Sequence, residues 1–558
     1  MNARSSFPPD ASTTDCDVLI VGGGINGCGI ARDLAGRGWR VVLCEKDDLA
    51  SHTSSASTKL IHGGLRYLEH YEFSLVRKAL QEREVLLRSA PHIMWPLRFV
   101  MPHDPYDKSL RPAWIIRLGL FMYDHLAHRE VLPASRSVDL RRHPAGAPLK
   151  PEFRRGFVYS DGWVDDARLV VLNALDARSH GAEVLTRTCC IEAQRGAEGW
   201  RATLESATGA RRTVRARAVV NAAGPWAESF LRGIARPAKG EALATKSLRL
   251  VKGSHIVVPR LFTHDHAYIF QNPDKRIIFA IPYQNDFTLI GTTDIELDGD
   301  DPGKAHIGDD EIAYLCTQAS RYFKKPVAAA DVVWTYSGVR PLLDDAAGDP
   351  SAVTRDYMLE SNTDAAPLLS VWGGKITTFR KLAEDAADEM GRMLNETRPA
   401  WTERAFLAGG DLSEWIGPPA RPDHDFERFM KAVQHKHPWL PAALARRLAR
   451  AYGARVASLL GDAQSLQDLG AEVAPGLHER ELRFLQGEEW AACGDDVLWR
   501  RSKLGLHYTP GERDQVARWM QSNPRKQANG RGYEMPGEFV VVSAVAAAAQ
   551  CAGDHPTT

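Results

Sequence analysis

The spacing of apolar positions changes several times along the chain, and each change marks an element. Cys16 to Val21 (CDVLIV) is a short unbroken apolar run, the texture of a parallel strand buried on both faces. It enters Gly22, and from Ile25 the spacing is helical through Leu34, until Gly36 and Gly38 supply a stop. Trp39 to Cys44 (WRVVLC) predicts a second strand that closes a βαβ unit at Glu45. Residues 74–89 (SLVRKALQEREVLLRS) read as an amphipathic helix ended by Pro91. Between 253 and 293, GSHIVVP, AYIF, RIIFAIP and FTLIGTT alternate with polar turns such as Tyr283-Gln284-Asn285-Asp286, an antiparallel texture. VRARAVVNAAG (214–224) and LLSVWGGK (368–375) return to a buried strand followed by glycine, as if the chain re-entered its first domain. Beyond about residue 390 the pattern is helical: ERFMKAVQ, AALARRLARAYG, ERELRFLQGEEW and RDQVARWMQ.

These textures predict an α/β protein with three parts. A discontinuous Rossmann-like cofactor domain takes residues 15–85, 155–235 and 335–390. An antiparallel-sheet substrate domain takes 86–154 and 236–334, and a helical C-terminal domain 391–558. The length of 558 residues suits that number of domains. Lys+Arg and Asp+Glu both total 70, a neutral balance that argues against a dedicated nucleic-acid binder. Eight scattered cysteines without a CxxC suggest neither a zinc knuckle nor a disulfide framework, and a reducing cytoplasm is the simplest compartment.

Residues 1–14 lack the apolar core of a signal peptide and read as a frayed tail. The apolar-leaning stretch Phe539 to Ala549 is too short to span a bilayer. Two stretches carry an amphipathic face that could lie on one. Residues 110–126 set Trp114, Ile115, Ile116, Leu118, Leu120, Phe121, Met122 and Tyr123 beside Arg111 and Arg117. Residues 443–452 set Arg446, Arg447 and Arg450 beside Leu444 and Leu448. A helix buried in its own protein has the same pattern.

Gly22, Gly24 and Gly27 match GxGxxG, after a strand and at the start of a helix, where backbone must approach a pyrophosphate closely. Glu45 ends the next strand, placed to accept from an adenosine ribose; FAD or NAD fits better than NADP, and the motif does not choose between them. The polar run Thr53 to Tyr67 follows directly and could line the cofactor. Arg66, Arg340 and Lys375 each stand beside glycines; taken singly each reads as a solvated charge, but together they suggest a pocket for a phosphate monoester. His255 at a strand entry is a candidate base, with Thr292, Thr293 and Asp294 as further polar liners. No carboxylate or histidine cluster suggests a metal, and no GxSxG elbow a hydrolase.

Several longer strings occur in one order: DVLIVGGGINGCGIARDLAGRG, TSSASTKLIHGGLRYLEHYEF, RPAWIIRLGLFMYDHL, YSDGWVDDARLV, KGSHIVVPR, IGTTDIE, WTYSGVRPL and GGKITTFRKLAE. They resemble the FAD-dependent glycerol-3-phosphate dehydrogenases of the aerobic respiratory type, from about Asp17 to about residue 510. The resemblance implies a fold like D-amino-acid oxidase and glycine oxidase, with a helical domain added. It implies oxidation of sn-glycerol 3-phosphate to dihydroxyacetone phosphate and electrons passed to ubiquinone. The enzyme would be peripheral on the cytoplasmic side of the bacterial inner membrane, monotopic, with room for a homodimer. Carried onto this chain, Gly22, Gly24, Gly27 and Glu45 would hold the adenosine and pyrophosphate of FAD. Ser54, Ser55, Ser57, Lys59, His62 and Gly63 would lie along the flavin, and Gly338, Gly374 and Thr377 would close its ring side. Arg66, Tyr67, Arg340 and Lys375 would bind substrate, with Thr293 near, and His255, Lys375 and Arg340 would carry the catalytic roles. A glycerol-3-phosphate oxidase shares these strings; an amino-acid oxidase would need one arginine for a carboxylate, and a non-catalytic FAD-binding scaffold would need neither Arg340 nor Lys375.

Overall fold

The computed structural model describes residues 15–104, 111–237, 243, 245–297, 299, 301–343 and 356–524; the tail 1–14 and the stretch 539–549 lie outside the described residues. Two sheets organise the chain up to residue 372. In the first, Cys16–Val21 lies parallel to Val41–Cys44 on one side and to Arg211–Asn221 on the other. Glu183–Leu185 extends the parallel array beyond Val41–Cys44, and Leu368–Trp372 joins it along Val219 to Asn221. The first half of Arg211–Asn221 turns away to pair antiparallel with Trp200–Ser206. Helices Ile25–Gly36, Asp166–Ser179 and Phe379–Met393 cover one face, where Ile30, Leu34, Val170, Leu382 and Ala386 share one core. Both faces of the central strands are buried, which is why they read as unbroken apolar runs.

The second sheet is mainly antiparallel and has ten strands, among them Met94–His103, Arg155–Val164, Leu248–Pro259 and Trp334–Leu343. Three of its members fall inside the boundaries expected for the cofactor domain. Leu60–Ile61 pairs with Arg155–Val164, and Trp334–Leu343 pairs with Leu248–Pro259. The expected boundaries at 155 and 335 therefore shift past these strands, and the chain leaves the second sheet near Asp165. An apolar run reveals that a strand is buried, but its partner strand is decided by pairing with residues 77 to 103 positions away.

Beyond residue 391, helices Pro422–Lys436, Ala442–Tyr452, Glu479–Glu488 and Pro510–Ser522 enclose a core of their own around Phe429, Leu448, Leu482 and Val516. Buried charge docks this domain on the first. Arg168 grips Glu489 through both guanidinium nitrogens and donates to the Ala451 carbonyl at 2.7 Å. Arg501 holds both oxygens of Asp48 at 2.7 Å. The arginines of 443–452 are likewise spent internally: Arg447 pairs with Glu481 at 2.6 Å and Arg446 with Glu427, while Arg450 lies over the Phe426 ring at 3.5 Å. Each arginine of that helix is thus engaged within the protein. No helix among the described residues is long and apolar enough to cross a membrane.

Candidate active site

The turn from the first strand into the first helix is built as a cradle. Gly22 has φ +114°, a left-handed conformation that glycine adopts freely. A Cβ at Gly27 would lie 1.9 Å from the Gly22 carbonyl oxygen, so the turn closes only with glycine there. The N-cap residue of helix Ile25–Gly36 is Gly24, which offers no side chain, and the first turn has no acid, so no negative charge of its own neutralises the positive end of the helix. Glu45 is buried beside it; its carboxylate accepts from the Gly23 amide at 2.6 Å and the Asp47 amide at 2.9 Å. Burial raises the Glu45 pKa against the pull of those two amides. Each oxygen retains a lone pair for a ribose hydroxyl.

The polar run after Glu45 wraps this cradle. Ser54 Oγ accepts from the Ile25 amide at 3.0 Å, and Thr53 Oγ1 donates to the Val339 carbonyl at 2.7 Å. Ser55 Oγ bonds the His52 carbonyl within its own turn. Ser57 and Lys59 are drawn the other way, into a hub around Asp166. Ser57 Oγ donates to Asp166 at 2.7 Å, and Lys59 Nζ meets both Asp166 oxygens at 2.9 Å with the Ser55 carbonyl at 3.0 Å. Lys59 is 1% exposed, so its charge is engaged in holding the loop. Gly63 donates to the Tyr123 hydroxyl at 2.8 Å; that hydroxyl donates to Asp161, which Arg83 also holds at 2.7 Å. The neighbouring His62 donates its amide to Thr377 Oγ1 at 3.4 Å. Burial lowers the His62 pKa, partly offset by Asp161.

Glycines bring the far segments close to this loop. A Cβ at Gly338 would sit 2.8 Å from the Ala56 Cβ, and Gly374, at φ +96°, faces the Asn26 amide. Asn26 Nδ2 donates to the Gly373 carbonyl at 3.2 Å, tying the first helix to the strand end that carries Lys375. Lys375 Nζ lies over the Tyr67 ring at 3.9 Å. Arg66, half-buried next door, makes no hydrogen bond or ion pair among the described residues. Arg340 pairs with Asp294 and donates to the Thr293 carbonyl at 3.1 Å. Thr293 Oγ1 in turn accepts from the Ser254 amide and donates to Glu311 at 2.6 Å, a structural anchorage under the same strand.

His255 lies between these groups. Its ring stacks on Tyr336 at 4.7 Å and 15°, and Nε2 is 3.0 Å from Thr58 Oγ1. A Cβ at Gly291 would lie 2.3 Å from Cδ2, so only glycine on the neighbouring strand admits the ring. Burial, then the charges of Lys59 and Arg340, hold its pKa well below the ordinary histidine value, leaving a neutral imidazole.

Sequence reasoning did not single out Thr58, Asp166, Tyr336, Asn26 or the Arg83–Tyr123–Asp161 network. The string YSDGWVDDARLV contains two of the acids, but nothing local to it pairs Asp166 with Lys59. Nor did it foresee a contribution from the C-terminal domain. Trp499 stacks on Trp334 at 4.6 Å and 9°, and Trp334 packs on Tyr336 at 5.2 Å, so a row of rings joins that domain to His255. Arg500 reinforces Arg501 on Asp48, which fixes the segment between Glu45 and the Ser54 turn.

A helix end without an acid, an unfillable glycine cradle and a buried acceptor at the next strand end fit the pyrophosphate and ribose of a flavin dinucleotide. The family model described as DAO, FAD dependent oxidoreductase, matches residues 17–380. The glycerol-3-phosphate dehydrogenase of Pseudomonas aeruginosa is 52% identical over 511 residues, covering 91% of this chain and 95% of the relative. The D-erythritol 1-phosphate dehydrogenase of Brucella abortus is 49% identical over 514 residues, covering 92% of this chain and 99% of the relative. A solved glycerol-3-phosphate dehydrogenase from Bacillus halodurans, complexed with FAD, matches at TM-score 0.72 with 27% identity, covering 92% of this chain and 91% of the other.

Proposed function

The chain belongs to the FAD-dependent glycerol-3-phosphate dehydrogenases, and from that membership we propose how its residues divide the work and where the electrons go. The reaction oxidises sn-glycerol 3-phosphate to dihydroxyacetone phosphate. FAD, when bound, supplies the two-electron acceptor that no side chain can provide. Gly22, Gly24 and Gly27 hold its pyrophosphate and Glu45 its ribose, while Ser54, Ser55, His62, Gly63, Gly338, Gly374 and Thr377 line the ring portion. Lys59 and Ser57 act at one remove, through Asp166.

The substrate phosphate meets Arg66, Arg340 and Lys375, with Tyr67 beneath Lys375. A doubly charged phosphate competes with Asp294 for Arg340, and two charge-assisted contacts replace one. The secondary hydroxyl gives its proton through the Thr58 hydroxyl to Nε2 of His255, whose neutral form is the one able to accept it. The row Trp499–Trp334–Tyr336 fixes the plane of that imidazole. What supports this reading is the neutral, stacked His255 against Thr58 of the polar loop, flanked by cations that would suit a phosphate and exceed what a carboxylate needs.

The electrons leave toward ubiquinone at a membrane surface. Trp114, Leu118 and Phe121 are 68%, 51% and 51% exposed and recur at i, i+4 and i+7 of helix Ala113–His125. Tyr71, 81% exposed, follows the segment that Glu69 ties to Arg111 at 2.9 Å, widening the apolar face. Such a face suits a monotopic enzyme resting on the cytoplasmic side of the inner membrane.

Anaerobic addition of glycerol 3-phosphate to the flavoprotein tests the assignment. The visible flavin absorbance should bleach, more readily than with D-erythritol 1-phosphate, and return faster with a ubiquinone analogue than with air. Bleaching with the tetritol phosphate alone would reassign the substrate, and faster return in air would make the protein an oxidase.

A further inference from the structure

Four basic groups stand together on the other face of the second sheet. Side chains alternate along a strand, so Val100 and Ile256 line this face whereas Phe99 and His255 line the opposite one. Arg98 pairs with Ser160 and Arg136 with Val158 on the intervening strand. Ser160 and Val158 are two residues apart, so both arginines share the face, about 10 Å apart across the sheet. Ala267 pairs with Phe99, which sets His266 beside Arg98. The His143 ring meets His266 edge-on at 5.0 Å, and His264 follows at 5.6 Å. Leu140 and Ala145 pack on Val100 and Val158 to give the cluster an apolar floor, and the Tyr268 hydroxyl donates to the Ala145 carbonyl.

Among the described residues, neither guanidinium makes a hydrogen bond or ion pair, and the His266 ring makes no hydrogen bond. His143 uses Nδ1 to accept from the Ala145 amide, leaving Nε2. The carboxylate facing Arg98 is Asp124, already engaged with Ser135 at 2.8 and 2.6 Å and with Arg129. Asp265 faces the imidazoles from the solvent side and is 3.7 Å from Arg260. Burial, then Arg136, lowers the Arg98 pKa; burial and the neighbouring cations lower His143 and His266, and take His264 to about 4. Other buried or half-buried arginines outside the substrate pocket have partners, as Arg37 with Asp33, Arg212 with Glu183 and Arg195 with Asn362. Arg98, half-buried beside the exposed Arg136 and without a counter-ion of its own among the described residues, raises the energy of the fold unless an anion joins it.

We propose that Arg98, Arg136, His143 and His266 form a phosphate-binding site on this face, distinct from the substrate pocket. Two guanidinium forks and an imidazole match a tetrahedral phosphate, carried either by a soluble ester or by an anionic phospholipid headgroup.

The test compares the holoenzyme with Arg98→Gln/Arg136→Gln. Titration calorimetry with inorganic phosphate should find a second class of sites in the wild type. In the double variant that class should weaken at least about tenfold, with KM for glycerol 3-phosphate unchanged. Flotation with phosphatidylcholine vesicles, with and without phosphatidylglycerol, separates the sources. Loss of the phosphatidylglycerol dependence in the variant marks a lipid headgroup; loss of phosphate binding alone marks a soluble ester. A double variant that keeps its flavin and matches the wild type in both titrations overturns the proposal.

Discussion

His92 offers a direct measurement of what burial does to an ionisable group in this chain. It is wholly buried between the helix Phe73–Ser89 and the C-terminal domain, with its ring against Gly453. Neither imidazole nitrogen has a partner among the described residues. Burial first, then the charges of Arg168, Arg450 and Arg455, hold its pKa down at about 3, against 6.5 unperturbed. Because the folded value is the lower one, the unfolded chain binds the extra proton as pH falls through 6.5, and stability is lost in that direction. At pH 7.5 the cost is negligible; at pH 5.5 it is about 1.4 kcal/mol, and at pH 5 about 2 kcal/mol. These figures depend on the unfolded pKa alone so long as the folded value lies well below the pH. His62 and His255 are held neutral in the same way and contribute parallel losses. The measurement is therefore a difference. Urea unfolding of the flavoprotein, wild type against His92→Leu, is followed by circular dichroism at pH 7.5 and 5.5. The variant should lose about 1.4 kcal/mol less than the wild type over that interval, whatever its starting stability. Equal losses would refute the reasoning, since they would mean that His92 takes up its proton without unfolding.

Gly27→Ala forces a Cβ to within 1.9 Å of a backbone oxygen, an overpacking of about 1–3 kcal/mol that opens the cradle. Its flavin affinity should fall roughly fivefold to a hundredfold, read from the absorbance ratio on dialysis; full flavin content would contradict this. Replacing Trp114, Leu118 and Phe121 together by Ser should abolish flotation with neutral vesicles while leaving the soluble-acceptor rate intact, and flotation at the wild-type level would remove the membrane assignment.

The parts of the site that were legible in the sequence are local ones. Strand, glycine turn, helix and Glu45 follow within thirty residues, and the backbone demands of such a turn are written in its glycines. The cations were legible for a similar reason, each standing beside a glycine at a strand end. What escaped notice joins distant segments: Lys59 finds Asp166 107 residues later, and the ring row to His255 begins at Trp499. Helix 443–452 shows the limit of amphipathic pattern, because its arginines would look the same facing lipid or facing Glu427 and Glu481. The boundaries at 155 and 335 slipped for the related reason that strand partners are chosen in space.

The place of Leu368–Trp372 in the first sheet bears on how the protein is made. That strand pairs with Val219–Asn221, next to the strand with which the chain begins. A ribosome therefore delivers the glycine turn early, but the neighbouring sheet edge stays open until residue 372 has emerged. Flavin capture then waits until about two thirds of the chain has been made. Nascent chains stalled before that point present an unpaired apolar edge, the natural target for chaperones or for aggregation.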